Sequence, residues 1–361
     1  MKRLLSIDVY RGLDMMFIMG MWEVWMGVAR LFGVTDCRAP VVNQMSHVPW
    51  EGLHIIDCVF PTFLFIAGLS FPFSLAKSRE KGFGEGRIWW KTLKRGLLLV
   101  FLGMVYSGTF RWTWGNWNGF HTTSVLGRIG LAWMLAAFLL LAIRSWKVRF
   151  GIFLVVLGFW WWLQPGGPKP QGHVDPEAWL GTIGGLCTAM IGMFTGEFVR
   201  ATRETMSGGR RVGLMFAAAA LLMLAGWGIS AAGTPIVKAL WTSSFVCMVG
   251  GISLAVFAAL HWAIDVKGWR RGTFFFEVVG LNSIAVYFGQ QMIRAREPGG
   301  PLYFLIGYPD QLPPGYIRHG ALGLCQWIGP EWGAFLWGIA GFAFLWGCLY
   351  WLYRRNIFFK V

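Results

Sequence analysis

Apolar runs near 20 residues long recur from one end of the chain to the other, separated by short polar stretches. That is the length a helix needs to cross the hydrocarbon core of a bilayer. The pattern predicts helical spans at about 10–33, 53–76, 91–110, 124–143, 148–164, 178–200, 211–231, 242–264, 273–293 and 332–353. The fifth ends in Trp160-Trp161-Trp162, an aromatic run of the kind that sits at a membrane interface. No stretch between the spans is long enough for a separate soluble domain. The expectation is one all-α domain over residues 1–361, a polytopic membrane helix bundle of about ten transmembrane helices.

The loops set an orientation. One set carries Lys77, Arg79, Lys94, Arg95, Arg144, Lys147, Arg200, Arg203, Arg210, Arg211, Lys267, Arg270, Arg271 and Arg354, with Lys2 and Arg3 at the start. The alternate loops carry few cations, among them Arg38, Arg111, Lys169 and Lys238. Basic loops stay cytoplasmic, so both termini are expected in the cytoplasm of a bacterial inner membrane. The opening Met1-Lys2-Arg3-Leu4-Leu5 mimics a signal peptide, but Asp8, Arg11 and Asp14 interrupt its apolar core, so a retained first span is expected. The other loops, at 34–52, 111–123, 165–177 and 294–331, are long and rich in Trp, Gly, Pro, Asn and His. Loops of that length often carry function.

Composition agrees with a membrane protein. Of 361 residues, 56% are hydrophobic and only 14% charged, against about 25% charged in soluble domains. The net charge of +15 lies in the short loops and is explained by orientation, so no nucleic-acid partner is expected. The six cysteines contain no C-x-x-C pair. Cys37 and Cys325 both fall in loops of the outward set and are compatible with a disulfide that sequence alone does not establish. The histidines and cysteines lack ligand spacing, and no metal site is expected.

Ionisable groups within apolar spans are costly and point to function or to internal pairing. Asp14, Glu23, Asp57, Arg128 and Glu197 are of this kind. The densest segment is His47-Val48-Pro49-Trp50-Glu51-Gly52-Leu53-His54-Ile55-Ile56-Asp57. With a helix from about Leu53, His54 and Asp57 stand three apart on one face. A histidine backed by a carboxylate supplies a general base with a fixed tautomer. His47 at the helix entrance is either such a base or a solvated loop residue, and His54 competes with it for Asp57.

At this point the residues suggest a family. Segment 46–78, "SHVPWEGLHIIDCVFPTFLFIAGLSFPFSLAKS", resembles the His-x-x-Trp-x-Gly…Asp-x-x-Phe-Pro…Phe-Ile-x-Gly pattern of the heparan-α-glucosaminide N-acetyltransferase family, in particular its bacterial branch. "RLLSIDVYRGLDMM" (3–16), "DPEAWLGTI" (175–183), "PIVKALWTSSFV" (235–246), "GLNSIAVY" (280–287) and "YRRNIFFKV" (353–361) are similar to further blocks of that family, in the same order. The resemblance implies a reaction in which the acetyl group of cytoplasmic acetyl-CoA, a co-substrate, passes to the amino group of a terminal glucosamine across the membrane. It places the active-site histidine on His47, as base or acyl carrier, with Asp57 as its orienting partner. Two departures bear on the acceptor. Glu23 stands where animal members have an active-site Asn, and Gly127-Arg128 replaces the usual Gln-Arg.

The sites expected are therefore His47 and Asp57 for catalysis. Glu23, Trp50, His54, Arg128, Lys238 and Trp241 are expected on the acceptor side, and Arg11, Asn282 and Ser244 toward acetyl-CoA. Lys94 and Arg95 join Arg11 as cations for the nucleotide. Asn282 suits either the pantetheine amides or a helix–helix hydrogen bond. Lys238, Trp241 and Ser244 suit either a developing oxyanion or an interfacial anchor. Trp112, Trp114, Asn116, Trp117, Asn118 and His121 form an aromatic and amide cluster suited to sugar faces. Partners are acetyl-CoA, an amino sugar and membrane lipids, with a homo-oligomer left open. A transporter or flippase for a sugar or lipid-linked sugar, with Asp14, Glu23 and Arg128 along its path, and an O-acetyltransferase of a surface polysaccharide are the alternatives.

Overall fold

The computed structural model describes residues 4–34, 39–106, 124–164, 181–287 and 328–359. The described residues are helical, with no strand among them. The helices are α1 (Leu5–Ile18), α2 (Met21–Leu31), α3 (Pro40–Asn43), α4 (Ile55–Glu80), α5 (Glu85–Tyr106), α6 (Val125–Ala142), α7 (Trp146–Leu163), α8 (Gly181–Ala201), α9 (Gly208–Ala231), α10 (Ser243–Leu260), α11 (Thr273–Leu281) and α12 (Pro330–Arg354). A π-helical turn, His261–Val266, continues α10.

Hydropathy predicts ten spans; among the described residues, six helices are long and apolar enough to cross a membrane: α4, α6, α7, α8, α9 and α10 with its π turn. This is the make-up of a multi-pass membrane protein. The predicted first span, 10–33, is not one helix. It breaks between α1 and α2 at Gly20, whose φ of 108° no ordinary side chain adopts readily. α5 has the length of a span but carries Glu85, Arg87, Lys91, Lys94 and Arg95 in its first half.

The six separate into two classes. The apolar windows of α4, α6, α8 and α10 are 61–72% buried, whereas those of α7 and α9 are 17% and 22% buried. The first four form the core, and the other two turn most of their apolar surface outward, as lipid-facing helices do. α4 and α8 meet backbone to backbone. A Cβ on Gly68 would lie 2.2 Å from the Ala189 carbonyl oxygen, and one on Gly192 would lie 2.1 Å from that of Phe65. Close approach at small residues is the usual route to tight helix packing where lipid offers no hydrophobic drive.

Contacts fix the helix directions. Gly192 meets Phe65 and Gly196 meets Leu69, so α4 and α8 run the same way. Phe60 touches Trp241 and Thr62 touches Ser253, which sets α10 parallel to α4. Arg128 approaches Phe60 and Trp133 packs on Phe71, so α6 shares that sense. Trp160 reaches Trp241 while Arg149 reaches Glu197, so α7 runs the opposite way. The consequence is two unlike ends. The starts of α4, α6, α8 and α10 gather at one end. The other end collects the connections that carry Lys77, Arg79, Arg144, Lys147, Arg200, Arg203, Arg210, Arg211 and Lys267.

Candidate active site

The site is built at the start of α4. Residues 46–54 form an irregular approach with Pro49 in it, and His54 caps the helix in an extended conformation (φ −105°, ψ 164°). Asp57 is the third residue of the first turn, where a carboxylate reaches back to the capping residue. Its Oδ2 accepts the backbone N–H groups of His54 at 3.2 Å and Val48 at 3.3 Å. Its Oδ1 lies 2.7 Å from His47 Nδ1 and accepts Lys238 Nζ at 3.1 Å. Four donors thus converge on one carboxylate with no exposed side-chain surface. An acceptor-only, ionised group is what such a shell fits.

That shell decides which nitrogen of the His47 ring donates. Lys238 Nζ also stands 3.1 Å from His47 Nδ1. An ammonium has no lone pair, and Nδ1 within 2.7 Å of a carboxylate is a donor. The nitrogen pair is therefore adjacent because both donate to the same oxygen. With its proton on Nδ1, the neutral ring carries its lone pair on Nε2. The His47 side chain is 62% exposed. His54 does not compete for the carboxylate with its ring. Its Nδ1 lies 2.6 Å from the Ser46 carbonyl, and only its backbone N–H reaches Asp57.

Lys238 arrives from residues 181 positions away, on the approach to α10. Thr242 and Ser244 shape that approach. Both hydroxyls lie on the Pro235 carbonyl, at 3.0 and 2.8 Å, and Thr242 Oγ1 also takes the N–H of Val237. Gly52, at φ 119°, donates its N–H to Ile236 and ties the two approaches together. Ser244 is completely buried, and its hydroxyl hydrogen-bonds within this loop.

Beneath the loop lies a buried aromatic and cationic layer. Trp241 is fully buried and holds a positive φ of 52°. It is fixed from three sides: its Nε1 donates to Thr188 Oγ1, its carbonyl accepts Trp160 Nε1, and its ring meets Phe60 edge-on at 4.8 Å. Strained backbone held by its surroundings clusters at functional sites. The buried Arg128 guanidinium lies 5.0 Å from the Trp241 ring centre, against the start of α8, where only Gly181 leaves room for it.

The other expected residues fall elsewhere. Arg11 donates to Ser70 Oγ at 3.1 Å. Ser70 is 13 residues beyond Asp57 on α4, roughly 20 Å at 1.5 Å per residue. Arg95, stacked on Trp133 at 4.4 Å, is an electrostatic neighbour of Arg11. These cations sit toward the basic end. Asn282 is buried at the end of α11, where its amide donates to the Ile357 carbonyl and accepts the Phe359 N–H. Both ends of that amide bond to the C-terminal segment. Trp50 lies in the approach to α4, and its indole nitrogen is buried without a hydrogen bond among the described residues. The Glu23 side chain lies outside the described part of α2. The cluster from Trp112 to His121, Cys37 and Cys325 also lie outside the described residues.

Sequence reasoning gave no role to Gly52, Gly181 and Thr188, although Gly52 and Gly181 stand within the matched segments 46–78 and 175–183.

The chain is similar to two curated acetyltransferases. It is 24% identical over 383 aligned residues to human heparan-alpha-glucosaminide N-acetyltransferase, covering 82% of this chain and 54% of that one. It is 24% identical over 377 residues to the mouse protein of the same name, with the same coverage. The chain thus spans about half the length of the curated relatives it matches. No family model matches it.

Proposed function

We propose that the protein is a transmembrane acetyltransferase, which moves the acetyl group of cytoplasmic acetyl-CoA to the amino group of a glucosamine-type sugar on the opposite face of a bacterial inner membrane. The observation that carries the reading is the buried carboxylate of Asp57, which holds Nδ1 of the largely exposed His47 ring. The reading includes about ten spans, with both termini on the basic, cytoplasmic side. The similarity to two N-acetyltransferases supports the acyl-transfer class.

The chemistry follows from the atoms in place. His47 Nε2 takes a proton from the acceptor amine as the nitrogen attacks the thioester carbon, or attacks that carbon itself. In both cases the imidazolium that develops is stabilised by Asp57 through Nδ1–H. Lys238 holds the carboxylate in position and keeps the cluster near neutrality. Arg128 behind Trp241 adds a buried cation beside the site. Arg11 and Arg95, about one helix length away, suit the phosphates of the nucleotide, and the pantetheine arm spans the distance between them and the site. Glu23, Trp50 and His54 are assigned to the acceptor.

The test uses purified protein in proteoliposomes with acetyl-CoA on the basic face and D-glucosamine on the other. Wild type transfers acetyl groups. His47→Ala abolishes transfer and retains CoA binding by calorimetry. Absence of CoA binding by the wild-type protein refutes the reading.

A further inference from the structure

Acetyl transfer as read above uses only the end of the bundle that holds His47. A second set of polar groups runs from there toward the basic end. On α1, Ser6, Tyr10 and Asp14 recur every fourth residue and so line one face. All three are buried. Asp14 is an electrostatic neighbour of Cys58, and so of the turn that carries Asp57. One turn further in, Tyr10 donates its hydroxyl to the Ser253 carbonyl at 3.0 Å. Thr62 and Ser253 share a hydrogen bond of 2.8 Å at that level. Two turns beyond Ser253, about 12 Å along the helix, is His261. Its Nδ1 lies 3.0 Å from Asp265, whose side chain is 11% exposed at the basic end.

Three atoms along this line have no hydrogen bond among the described residues: Asp14 Oδ2, Ser6 Oγ and His261 Nε2. Their residues are 96–100% buried. An unpaired polar atom in such a place costs free energy comparable to a lost hydrogen bond, and buried water is the usual remedy. α1 packs on the π turn that holds His261, and π turns within α-helices frequently mark functional sites. Among the described residues, Asp265 and, from α9, Arg211, with Arg203 in its electrostatic reach, are charged groups near the basic end of the line.

We propose that Asp14, Tyr10, Ser6, Thr62, Ser253 and His261, with water at the three unpaired atoms, form a proton-conducting file that supplies the departing thiolate from the basic face. The proposal rests on the acetyltransferase reading. In the transfer the carbonyl carbon forms a bond to nitrogen and loses its bond to sulfur, and the electron pair leaves on sulfur. A thiolate inside the bundle is poorly solvated and takes up a proton before its arm withdraws. That proton enters by Asp265 and His261. The proton lost by the amine leaves through His47, whose ring is open to the other side. The sum is acetyl-CoA plus amine plus one proton from the basic face, giving amide plus free CoA plus one proton on the His47 face. Turnover thus moves one positive charge across the membrane, whereas a local shuttle by His47 from amine to thiolate moves none.

The experiment traps a pH-sensitive dye on the basic face of proteoliposomes and follows acetyl transfer to D-glucosamine beside CoA/acetyl-CoA exchange, which needs no acceptor. One proton is taken up on the basic face per acetyl group transferred, and turnover responds to an imposed membrane potential. Asp14→Asn and His261→Gln slow transfer by about 10²-fold or more, the scale of a lost proton donor, while CoA still binds. Transfer with no proton uptake on the basic face overturns the file and leaves the acetyltransferase reading standing. Neither transfer nor exchange in wild type overturns both. If the variants do not fold, the wild-type stoichiometry and voltage response decide alone.

Discussion

Asp57→Asn is the sharpest perturbation of the site, because it changes one atom of a group surrounded by four donors. A carboxylate only accepts, whereas an amide also donates. Turned one way, the new NH2 faces the N–H groups of Val48 and His54, which then lose their acceptor. Each buried donor left unmade costs about 1–3 kcal/mol. Turned the other way, it faces His47 Nδ1 and Lys238 Nζ. Removing one partner of a buried ion pair costs about 3–5 kcal/mol; Lys238 is 18% exposed, so water recovers part of that. The first orientation gives a loss of about 2–6 kcal/mol and the second one of up to about 5 kcal/mol. The second also reverses the ring: Nδ1 must accept, the proton moves to Nε2, and the lone pair is gone. The corresponding change in serine proteases lowers turnover by about 10⁴-fold, and a fall of about 10³–10⁴-fold in acetyl transfer is expected here. The assay pairs thioester consumption with thermal unfolding in detergent and nitrogen NMR of labelled histidine. A variant with transfer within threefold of wild type and an Nε2 that still lacks a proton would refute the argument.

Four further outcomes follow from the packing. Lys238→Met should lower both thermal stability and kcat while Lys238→Arg recovers part of each; equal kcat for wild type and Lys238→Met would show that Asp57 needs no ammonium. Gly192→Leu drives a side chain into the Phe65 carbonyl, and overpacking of this kind costs typically about 1–3 kcal/mol; an unchanged melting temperature contradicts the α4–α8 contact. Arg149→Ala leaves Glu197, 29% exposed, without the Nη2 group that donates to both its oxygens. It should destabilise more than the paired change Arg149→Met with Glu197→Gln, because an unpaired charge costs more than a missing pair. Asn282→Ala should free the C-terminal segment, read as faster proteolysis after Ile357, with CoA affinity unchanged; loss of CoA affinity would return Asn282 to the ligand.

Hydrophobic run length by itself determined that this is a helical membrane protein, because crossing a bilayer fixes both the length and the apolarity of a helix. Loop charge sorted the basic connections from the others, and the helix directions gather those connections at one end. The spacing of His47, His54 and Asp57 marked the site, since a histidine near a helix-entry carboxylate is rare enough to notice. The sequence left open which imidazole Asp57 holds, because both lie within reach along the chain. Only the folded approach decided it, by turning the His54 ring to the Ser46 carbonyl. Lys238, 181 residues away, joins through a loop that Thr242, Ser244 and Gly52 hold in place. Periodicity carries no information about such a pairing, which depends on where two helices begin relative to one another. The break at Gly20 and the capture of Asn282 by the C-terminal segment were hidden for the same reason. Hydropathy counts apolar residues, while backbone turns and hydrogen-bond partners are chosen by the packed neighbours.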